Sequence, residues 1–461
     1  MTNKGTKGKQ RKRAVKHRHT RPPRLIRRVT FCLAFCLFSL LFSRAGYSSL
    51  RLTVVRADAN LISTATPEGR LAVFDDVWQT VHDRYYDSNF RGVDWWGQRA
   101  LYRTLAADAR GPRELYAVLR RLVASLHDAH TRVYAPEEKF DWQHPRFLTV
   151  GLSLREIQGQ PTVVSVERGS EAERVGIRAG DVIETVDGEA ALSRFEQKLR
   201  EQTGSSTPQS ARLFAMASLT EGPLEANVII GWQGADNKEH RASLRRQWHE
   251  RNFAMHIEHH RGIAVVVIDA FTHTLALEFA RAMNGQLSHA RGIVLDLRNN
   301  GGGEAEVTAE MASSFLPVAT GLGQFTDRHG NVALKLETGL LPLLTAHRPR
   351  PVQVPVVILT SERTSSAAEI FVAALKQTTR ATVFGGQTCG CVLAVRTRHA
   401  LPDGGELEVS ELDYQTARGI RLEGQGIEPD EMISLTRRDI YSGRDRVLES
   451  AFAKLKATSR P

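Results

Sequence analysis

The chain has 461 residues, and its 62 Lys and Arg outnumber 51 Asp and Glu to give a formal net charge of +11. Hydrophobic residues at 41% and charged residues at 25% are typical of a globular protein of several domains. They exclude a disordered, collagen-like or polytopic membrane chain. Residues 1–45 hold 13 of the basic residues and no acidic residue, which leaves a net charge of −2 for the rest. We therefore expect no nucleic-acid partner for the body of the protein.

Residues 1–45 have the pattern of a signal peptide or membrane anchor. A basic stretch ends at Arg28, and an apolar run follows over residues 29–42. That run is short for a hydrocarbon core of about 30 Å, but it suits a signal-peptide apolar region, and Ser43 and Ala45 are small enough for cleavage after them. The sequence thus predicts export to the periplasm or another extracytoplasmic site. Cleavage and membrane attachment through residues 29–42 both remain open.

Residues 46–139 are predicted to form a helical region. Val73, Val77, Val81 and Tyr85 recur every four residues, as on one face of an amphipathic helix. Two further segments with helical spacing extend the pattern to residue 126, and a Gly-Pro pair at 111–112 separates them.

In residues 140–250 the hydrophobic period changes to that of β-strands. Apolar and small or polar residues alternate over 148–154, and a second strand is expected at 163–166. A short helix is predicted at 170–175, and the polar residues 204–210 are predicted to form a loop. The spacing of glycines around these segments resembles a PDZ domain. That resemblance implies a partner protein or peptide with an apolar C-terminus, bound by strand addition, and it places Gly151 and Leu152 in the carboxylate-binding loop.

Residues 251–461 have an α/β pattern. Continuous apolar strands are predicted at 263–268, 293–297 and 354–359, with helical patterns between them. Strands that are apolar on both faces are typical of a largely parallel sheet covered by helices on both sides.

Three segments of the chain carry residues suited to catalysis. Three glycines at 301–303 follow a buried strand directly, and they would let backbone N–H groups approach an oxyanion closely. Ser365 and Ser366 stand among small residues at a helix start, where the helix dipole stabilises negative charge. His127 and His130 end the helical region, and a histidine is the usual general base.

Together these segments resemble peptidase family S41, the C-terminal processing and tricorn-like serine proteases. The motifs occur in the order of that family: Asp-x-His-Thr, a PDZ domain, Asp-Leu-Arg-x-Asn with glycines, the serine helix, a Gly-x-x-Thr-x-Gly turn, and Gly-Ile-Glu-Pro-Asp at 426–430. The resemblance implies an α/β, crotonase-like (ClpP/crotonase-type) catalytic core with a C-terminal helix, an N-terminal helical unit and an inserted PDZ-like β domain. It also implies a serine-type peptidase that needs neither metal nor cofactor.

The resemblance assigns the nucleophile to Ser366, with Ser365 as the alternative one position away. It implies an oxyanion hole made by the backbone N–H groups of Gly302 and Ala367, with Gly301 as a neighbouring candidate. One branch of the family places a lysine base just after the Thr-x-Gly turn, but Cys391 occupies that position here. A Ser/Lys dyad in that frame is therefore excluded.

The tricorn-like branch uses Ser, His and Glu instead. By that resemblance His130 would be the general base, and Glu423 would orient its imidazole. Asp128 is a rival orienter, but a position only two residues from the histidine suits a local turn better.

Two alternatives remain open from the sequence. Cys389 and Cys391 are expected to be free thiols, because a Cys-x-Cys disulfide would be strained, and Cys391 would then be a rival nucleophile. The chain could also be a catalytically inactive, PDZ-containing peptide-binding scaffold, which would fit the missing lysine.

Overall fold

A computed structural model describes the strand residues 53–55 and residues 61–138, 146–201, 204–222, 224, 226–250, 252–339 and 351–458. These residues belong to one compact unit, Ser49–Pro461. The predicted signal or anchor segment, 1–45, lies outside the described residues. Within the described ranges, no helix is long and apolar enough to cross a membrane.

The N-terminal region is helical, as its spacing predicts. Thr66 and Asp94 cap the first two helices by accepting hydrogen bonds from Gly69 N and Gly97 N. The apolar faces of the helices meet in one core, in which the indole N–H groups of Trp78 and Trp95 each donate to the other residue's carbonyl. The elements are β1 (Thr53–Val55), α1 (Pro67–Arg84), a 3-10 turn (Phe90–Gly92), α2 (Trp95–Asp108), α3 (Pro112–Ala124) and β2 (Arg132–Tyr134).

The next segment forms a separate β unit with its own core. The single strand predicted over 148–154 is wrong, because the chain turns at Gly151 with a φ of 85°. A Cβ on Gly151 would lie 2.1 Å from the Cβ of Ser170, so this turn requires glycine. The elements are β3 (Arg146–Thr149), β4 (Leu152–Ile157), β5 (Gln160–Val166), α4 (Glu171–Arg174), β6 (Val182–Val186), β7 (Glu189–Ala190), α5 (Ala191–Glu201), α6 (Pro208–Ala217), β8 (Asn227–Gln233), β9 (Glu239–Arg245) and β10 (Gln247–Glu250).

The predicted loop at 204–210 is only partly correct. Thr207 caps α6 by accepting a hydrogen bond from Ser210 N, and Pro208 occupies the first turn, so the second half of that segment is helical. The sheet of this unit has the order β4-β5-β6-β8-β9, with β7 beside β6. β4 is thus an edge strand, and α6 packs against it. β3 and β10 pair antiparallel, so the chain enters and leaves the unit side by side.

The remainder of the chain is the α/β region that the apolar strands predict. Each of the three predicted strands is confirmed to within about two residues. The elements are β11 (Met255–His260), β12 (Ile263–Ile268), α7 (His273–Asn284), β13 (Gly292–Asp296), α8 (Ala305–Ala312), β14 (Gly321–Thr326), β15 (Val332–Glu337), β16 (Val356–Thr360), α9 (Ala367–Gln377), β17 (Thr382–Gly385), β18 (Ala394–Ala400), β19 (Glu406–Thr416), β20 (Glu431–Met432), α10 (Arg437–Tyr441) and α11 (Arg446–Thr458).

Two sheets organise this region. The central sheet has the order β11-β12-β13-β16-β17-β20, with every pair parallel except β11 and β12. Helices α7, α8 and α9 contribute to the large core on one face, and α11 packs on the other. The second sheet, β1-β18-β19-β14-β15, also pairs β2 with β19, which ties the end of the helical region to the α/β region. The carboxyl ends of β13 and β16 therefore lie together, where a site is expected in such sheets.

Candidate active site

Ser366 lies between β16 and α9 in an unusual backbone conformation. Its φ is 55° and its ψ is −126°, a region that costs a non-glycine residue on the order of 1–3 kcal/mol. Two contacts hold it there, because its N–H lies 2.9 Å from the carbonyl oxygen of Cys391 and 3.2 Å from Oε2 of Glu369. The side chain is half-buried at the start of the helix. Such a geometry lifts the hydroxyl out of the regular helix surface.

The glycine turn after β13 packs directly against Ser366. Gly302 has a φ of 104°, and a Cβ on it would lie 2.7 Å from the Cβ of Ser366 and 3.1 Å from Ala367 N. Only glycine fits there. The N–H of Gly302 already donates to Oδ1 of Asn300 at 2.8 Å, and Asn300 in turn donates to the carbonyl of Ile268. The predicted oxyanion role of Gly302 would require that bond to Asn300 to break.

Two other backbone N–H groups beside the serine are available. Ala367 is the first residue of α9, so its N–H has no acceptor within the helix. The N–H of Gly301 makes no hydrogen bond with any described residue, and Gly301 is exposed. The hydroxyl of Ser365, the alternative nucleophile, donates to the Gly301 carbonyl at 3.1 Å.

Glu369 lies one helical turn after Ser366 and is fully buried. Its Oε1 accepts hydrogen bonds from the Thr388 hydroxyl at 2.5 Å and Gly390 N at 2.7 Å. Its Oε2 accepts from Cys391 N at 2.9 Å and from Ser366 N. Burial raises the pKa of Glu369 to about 7, while the hydrogen bonds from Thr388, Cys391 and Gly390 lower it. The carboxylate therefore fastens the serine to the turn that follows β17.

The two cysteines form a disulfide, so the prediction of free thiols is wrong. Cys389 and Cys391 are both buried, with Cα atoms 5.2 Å apart, within the usual range for a disulfide. Gly390 between them has a φ of 70°, which lets the chain fold back over such a short span. A disulfide sulfur carries no thiol, so Cys391 is not a nucleophile in this state.

His130 follows α3 in a tight turn. Asp128 forms that turn, since its Oδ1 accepts from His130 N at 2.8 Å and its Oδ2 accepts from the Thr131 hydroxyl. The Nδ1 atom of His130 is buried and has no hydrogen-bond partner among the described residues. Burial lowers the pKa of His130 to about 4, with Asp128 raising it and Arg132 lowering it further. The imidazole is therefore neutral near pH 7, as a general base must be.

Glu423 lies in the turn after β19, and its side chain is fully buried. Its Oε2 accepts from Val392 N at 2.8 Å, and its Oε1 lies 3.2 Å from Nη1 of Arg91. Burial raises the pKa of Glu423 to about 7, and the negative charge of Asp128 raises it too, whereas hydrogen bonds from Ser206 and Val392 and the charge of Arg91 lower it. Both carboxylate oxygens are thus engaged without His130.

One short segment, residues 389–392, contacts Ser366, Glu423 and the neighbour of His130 in the chain. Its Cys391 carbonyl accepts from Ser366 N, its Val392 N donates to Glu423, and Ala129 beside His130 packs on the two cysteines. The side chains of Ser366, His130 and Glu423 make no direct hydrogen bond with one another in the described part of the chain. Residues 389–392 therefore link the backbone of Ser366, the carboxylate of Glu423 and the turn that carries His130.

The predicted substrate-binding residues lie in the β unit. Gly151 N donates to the Thr149 hydroxyl at 3.0 Å, and Leu152 begins the edge strand β4 and is half-buried. β4 is linked to the loop before the serine, since Arg155 lies 2.6 Å from Glu362 and Arg363 donates to Ser153 at 3.0 Å.

Lys376 pairs with Asp430 and makes no described contact with Ser366. Its Nζ lies 2.8 Å from Oδ1 of Asp430 and also donates to the Glu428 carbonyl at 2.6 Å. Across the described ranges, no group of three or more His, Cys, Asp or Glu side chains has an arrangement that could hold a metal ion.

Sequence reasoning missed Arg91 and the joining role of residues 389–392. Arg91 lies in a polar stretch of the sequence next to a glycine, and no motif distinguishes it from the other arginines. The close Cys-x-Cys pair was a visible signal, but its disulfide depends on how the turn folds.

Comparison with known proteins shows which family the chain resembles. Residues 262–433 match the sequence model of peptidase family S41, and residues 67–124 match that of the tricorn protease C1 domain. The resemblance to peptidase family S41 found in the sequence is confirmed, and the chain is a serine-type peptidase.

Relatives of the chain are C-terminal processing proteases. It is 27% identical to the carboxyl-terminal-processing protease of Synechocystis sp. over 77% of this chain and 79% of the relative. It is 26% identical to the chloroplastic C-terminal processing peptidase of Tetradesmus obliquus, over 78% and 76% of the two chains.

Two solved structures share the fold of this chain. The photosystem II D1 C-terminal processing protease matches with a TM-score of 0.53 at 24% identity, over 79% of this chain and 93% of that one. Mature CPAF matches with a TM-score of 0.65 at 13% identity, over 84% of this chain and 98% of that one.

Proposed function

We propose that this serine peptidase cleaves extended or C-terminal segments of proteins with Ser366 as nucleophile, His130 as general base and Glu423 as the group that orients the base. The observation that carries the proposal is the strained backbone of Ser366, held at the start of α9 against the glycine turn. Strain of this kind is expected where the surroundings fix a reactive group. The strain also argues against an inactive peptide-binding scaffold, because such a protein would not require a strained serine.

The proposed reaction follows the chemistry of an acyl transfer. The Ser366 hydroxyl attacks the scissile carbonyl carbon while its proton passes to the neutral imidazole of His130. The tetrahedral intermediate then collapses, the imidazolium gives its proton to the leaving amine, and the C–N bond breaks. Water hydrolyses the acyl-serine by the same steps, and Glu423 stabilises the imidazolium in each half-reaction. Substrate binding would bring the three side chains into hydrogen-bond contact, because catalytic hydrogen bonds tighten in the Michaelis complex.

We assign the developing oxyanion to the N–H groups of Ala367 and Gly301. Ala367 follows Ser366 directly, Gly301 accepts from the hydroxyl of the adjacent Ser365, and neither N–H is committed to another acceptor among the described residues. The N–H of Gly302 is a less favourable oxyanion donor than these two, since its hydrogen bond to Asn300 would first have to break. Two such donors stabilise negative charge that forms only in the transition state.

The β unit is proposed to bind substrate as a PDZ-like domain inserted in a crotonase-like core. An extended peptide can add to the edge strand β4 beside α6, with its apolar C-terminus near Gly151 and Leu152. The bonds from Ser153 and Arg155 to the Glu362–Arg363 segment place that edge next to the serine loop. We further propose that the protein acts outside the cytoplasm, exported or anchored by residues 1–45, and that it uses no metal or cofactor.

A fluorophosphonate probe tests the proposal most directly. It reacts with an activated serine, so we expect labelling of the wild type and of Ser365→Ala but none of Ser366→Ala. A peptide map of the labelled protein should place the adduct on Ser366. Absence of labelling in a folded wild-type protein that also fails to cleave unstructured peptides would favour the scaffold instead.

A further inference from the structure

Arg91 connects the chain segment that carries His130, the proposed base, with Glu423, the residue proposed to orient it. Its Nη1 donates to the carbonyl oxygen of His127 at 2.7 Å, three residues before His130. The same nitrogen lies 3.2 Å from Oε1 of Glu423. One guanidinium nitrogen therefore bridges the histidine segment and the glutamate turn, which are far apart in the sequence.

The fold holds Arg91 in place for this bridge. Arg91 has a φ of 56°, a conformation that arginine rarely adopts, in the 3-10 turn after α1. Asp87 fixes the turn by accepting hydrogen bonds from Asn89 N at 2.9 Å and Arg91 N at 2.8 Å. Gly424, next to Glu423, packs beside the guanidinium, since a Cβ there would lie 3.6 Å from its Nη2, an ordinary van der Waals contact.

The charges around Glu423 make this contact important. Its side chain is fully buried, whereas that of Arg91 is 21% exposed. The negative charge of Asp128 raises the pKa of Glu423 and the charge of Arg91 lowers it, while Glu423 raises the pKa of Glu369, Tyr85 and Tyr86. A buried carboxylate that loses a cation in direct contact is less well compensated, which is unfavourable.

We propose that Arg91 is a positioning residue for this peptidase, which keeps Glu423 ionised and holds it at a fixed spacing from the histidine segment. The inference rests on the Ser-His-Glu function proposed above. A carboxylate oxygen has two lone-pair sites, so Oε1 can accept from Arg91 and still receive the Nδ1–H of His130. Arg91 thus supports the orienting group without touching substrate.

The test compares Arg91→Gln and Arg91→Lys with the wild type, with Arg103→Gln as the matched control. Arg103 pairs with Asp75 on the exposed face of the same helical region and contacts none of the site. Rates of cleavage of an unstructured peptide are measured from pH 5 to pH 9, and kcat and KM are separated at each pH.

We expect Arg91→Gln to move the acid limb of the kcat profile to higher pH, because the cation that favours ionised Glu423 is gone. A shift of one pH unit lowers kcat about tenfold below the limb, with KM and the rate above pH 8 less affected. Arg91→Lys should restore part of the shift, since it keeps the charge but not the planar guanidinium. Arg103→Gln should match the wild type.

Two outcomes would overturn the inference. A pH profile of Arg91→Gln that superimposes on that of the wild type would show that Arg91 does not position Glu423. An equal loss at every pH that Arg91→Lys does not rescue shows a purely structural contact. If Ser366→Ala, assayed in parallel, is as active as the wild type, the proposed function fails; if it is inactive while Arg91→Gln is unchanged, only the role of Arg91 fails.

Discussion

On the serine side of the site, Ser366 is fixed by the Cys391 carbonyl, by Glu369 and by the glycine turn, all within a region of one parallel sheet. On the histidine side, His130 comes from the helical region and Glu423 from the second sheet, and the Nδ1 atom of His130 has no partner in the described part of the chain. The described contacts fix the backbone of Ser366, whereas they leave the Nδ1 atom of His130 without a hydrogen-bond partner.

The difference follows from how each side is built. Parallel strands in one sheet place their carboxyl ends together, so the glycine turn and the serine helix meet as a consequence of the sheet. The histidine and the glutamate approach from separate elements, so their spacing depends on bridging contacts such as that of Arg91. Variants on each side can test whether the serine side and the histidine side differ in this way.

The largest effect is expected for Ser366→Ala. Removal of the nucleophile should lower kcat on an unstructured peptide by on the order of 10⁴–10⁶-fold, because triad members act as a unit. Circular dichroism should be unchanged. Ser365→Ala is the control, and its hydroxyl bonds only to the Gly301 carbonyl. Activity that survives in Ser366→Ala and disappears in Ser365→Ala would reverse the assignment.

His130→Ala is expected to cost about as much, roughly 10⁴-fold or more in kcat. The exposed His289 provides the control, and His289→Ala should retain wild-type rates. A base must be neutral and its orienting carboxylate ionised, so activity should rise with pH between about 4 and 7, the pKa values of His130 and Glu423. A rise only above pH 8 would indicate a lysine base instead.

Glu369→Gln should produce a smaller loss of activity together with a clear loss of stability. All four partners of the carboxylate donate to it, so an amide NH₂ would face N–H groups instead of accepting from them. Each buried donor left unpaired costs about 1–3 kcal/mol, so we expect the free energy of unfolding to fall by roughly 2–4 kcal/mol. Denaturant titration measures it, with the exposed Glu449→Gln as control. An unchanged midpoint would mean that Glu369 is protonated in the folded protein.

The double variant Cys389→Ser, Cys391→Ser should have the smallest effect. A disulfide that closes so short a loop contributes roughly 1–2 kcal/mol to stability by the loop-entropy relation. Because residues 389–392 contact both sides of the site, we expect kcat to fall by about tenfold through small displacements. Mass measurement before and after alkylation should first show no free thiol at these positions in the wild type. A variant with wild-type kcat would show that the disulfide does not position the site.

The sequence alone determined the main elements and much of the serine side. The apolar strands, the glycines at 301–303 and the small residues around Ser366 are local patterns, and local patterns record which residues are buried and which backbone conformations are needed. The motif order was sufficient to recognise the resemblance to peptidase family S41. The break at Gly151 and the start of α6 were misread, because strand alternation and polar composition do not show where a chain must turn against a neighbour such as Ser170.

The tertiary structure decided what joins distant segments. The disulfide of Cys389 and Cys391, the bond of Gly302 to Asn300 and the bridge of Arg91 to Glu423 all depend on distances that no spacing along the chain specifies. The electrostatics were decided in the same way. A histidine and a glutamate have ordinary pKa values in an unfolded chain. In the folded protein burial is the largest cause that lowers the pKa of His130 to about 4 and raises that of Glu423 to about 7, since desolvation disfavours the charged form of each.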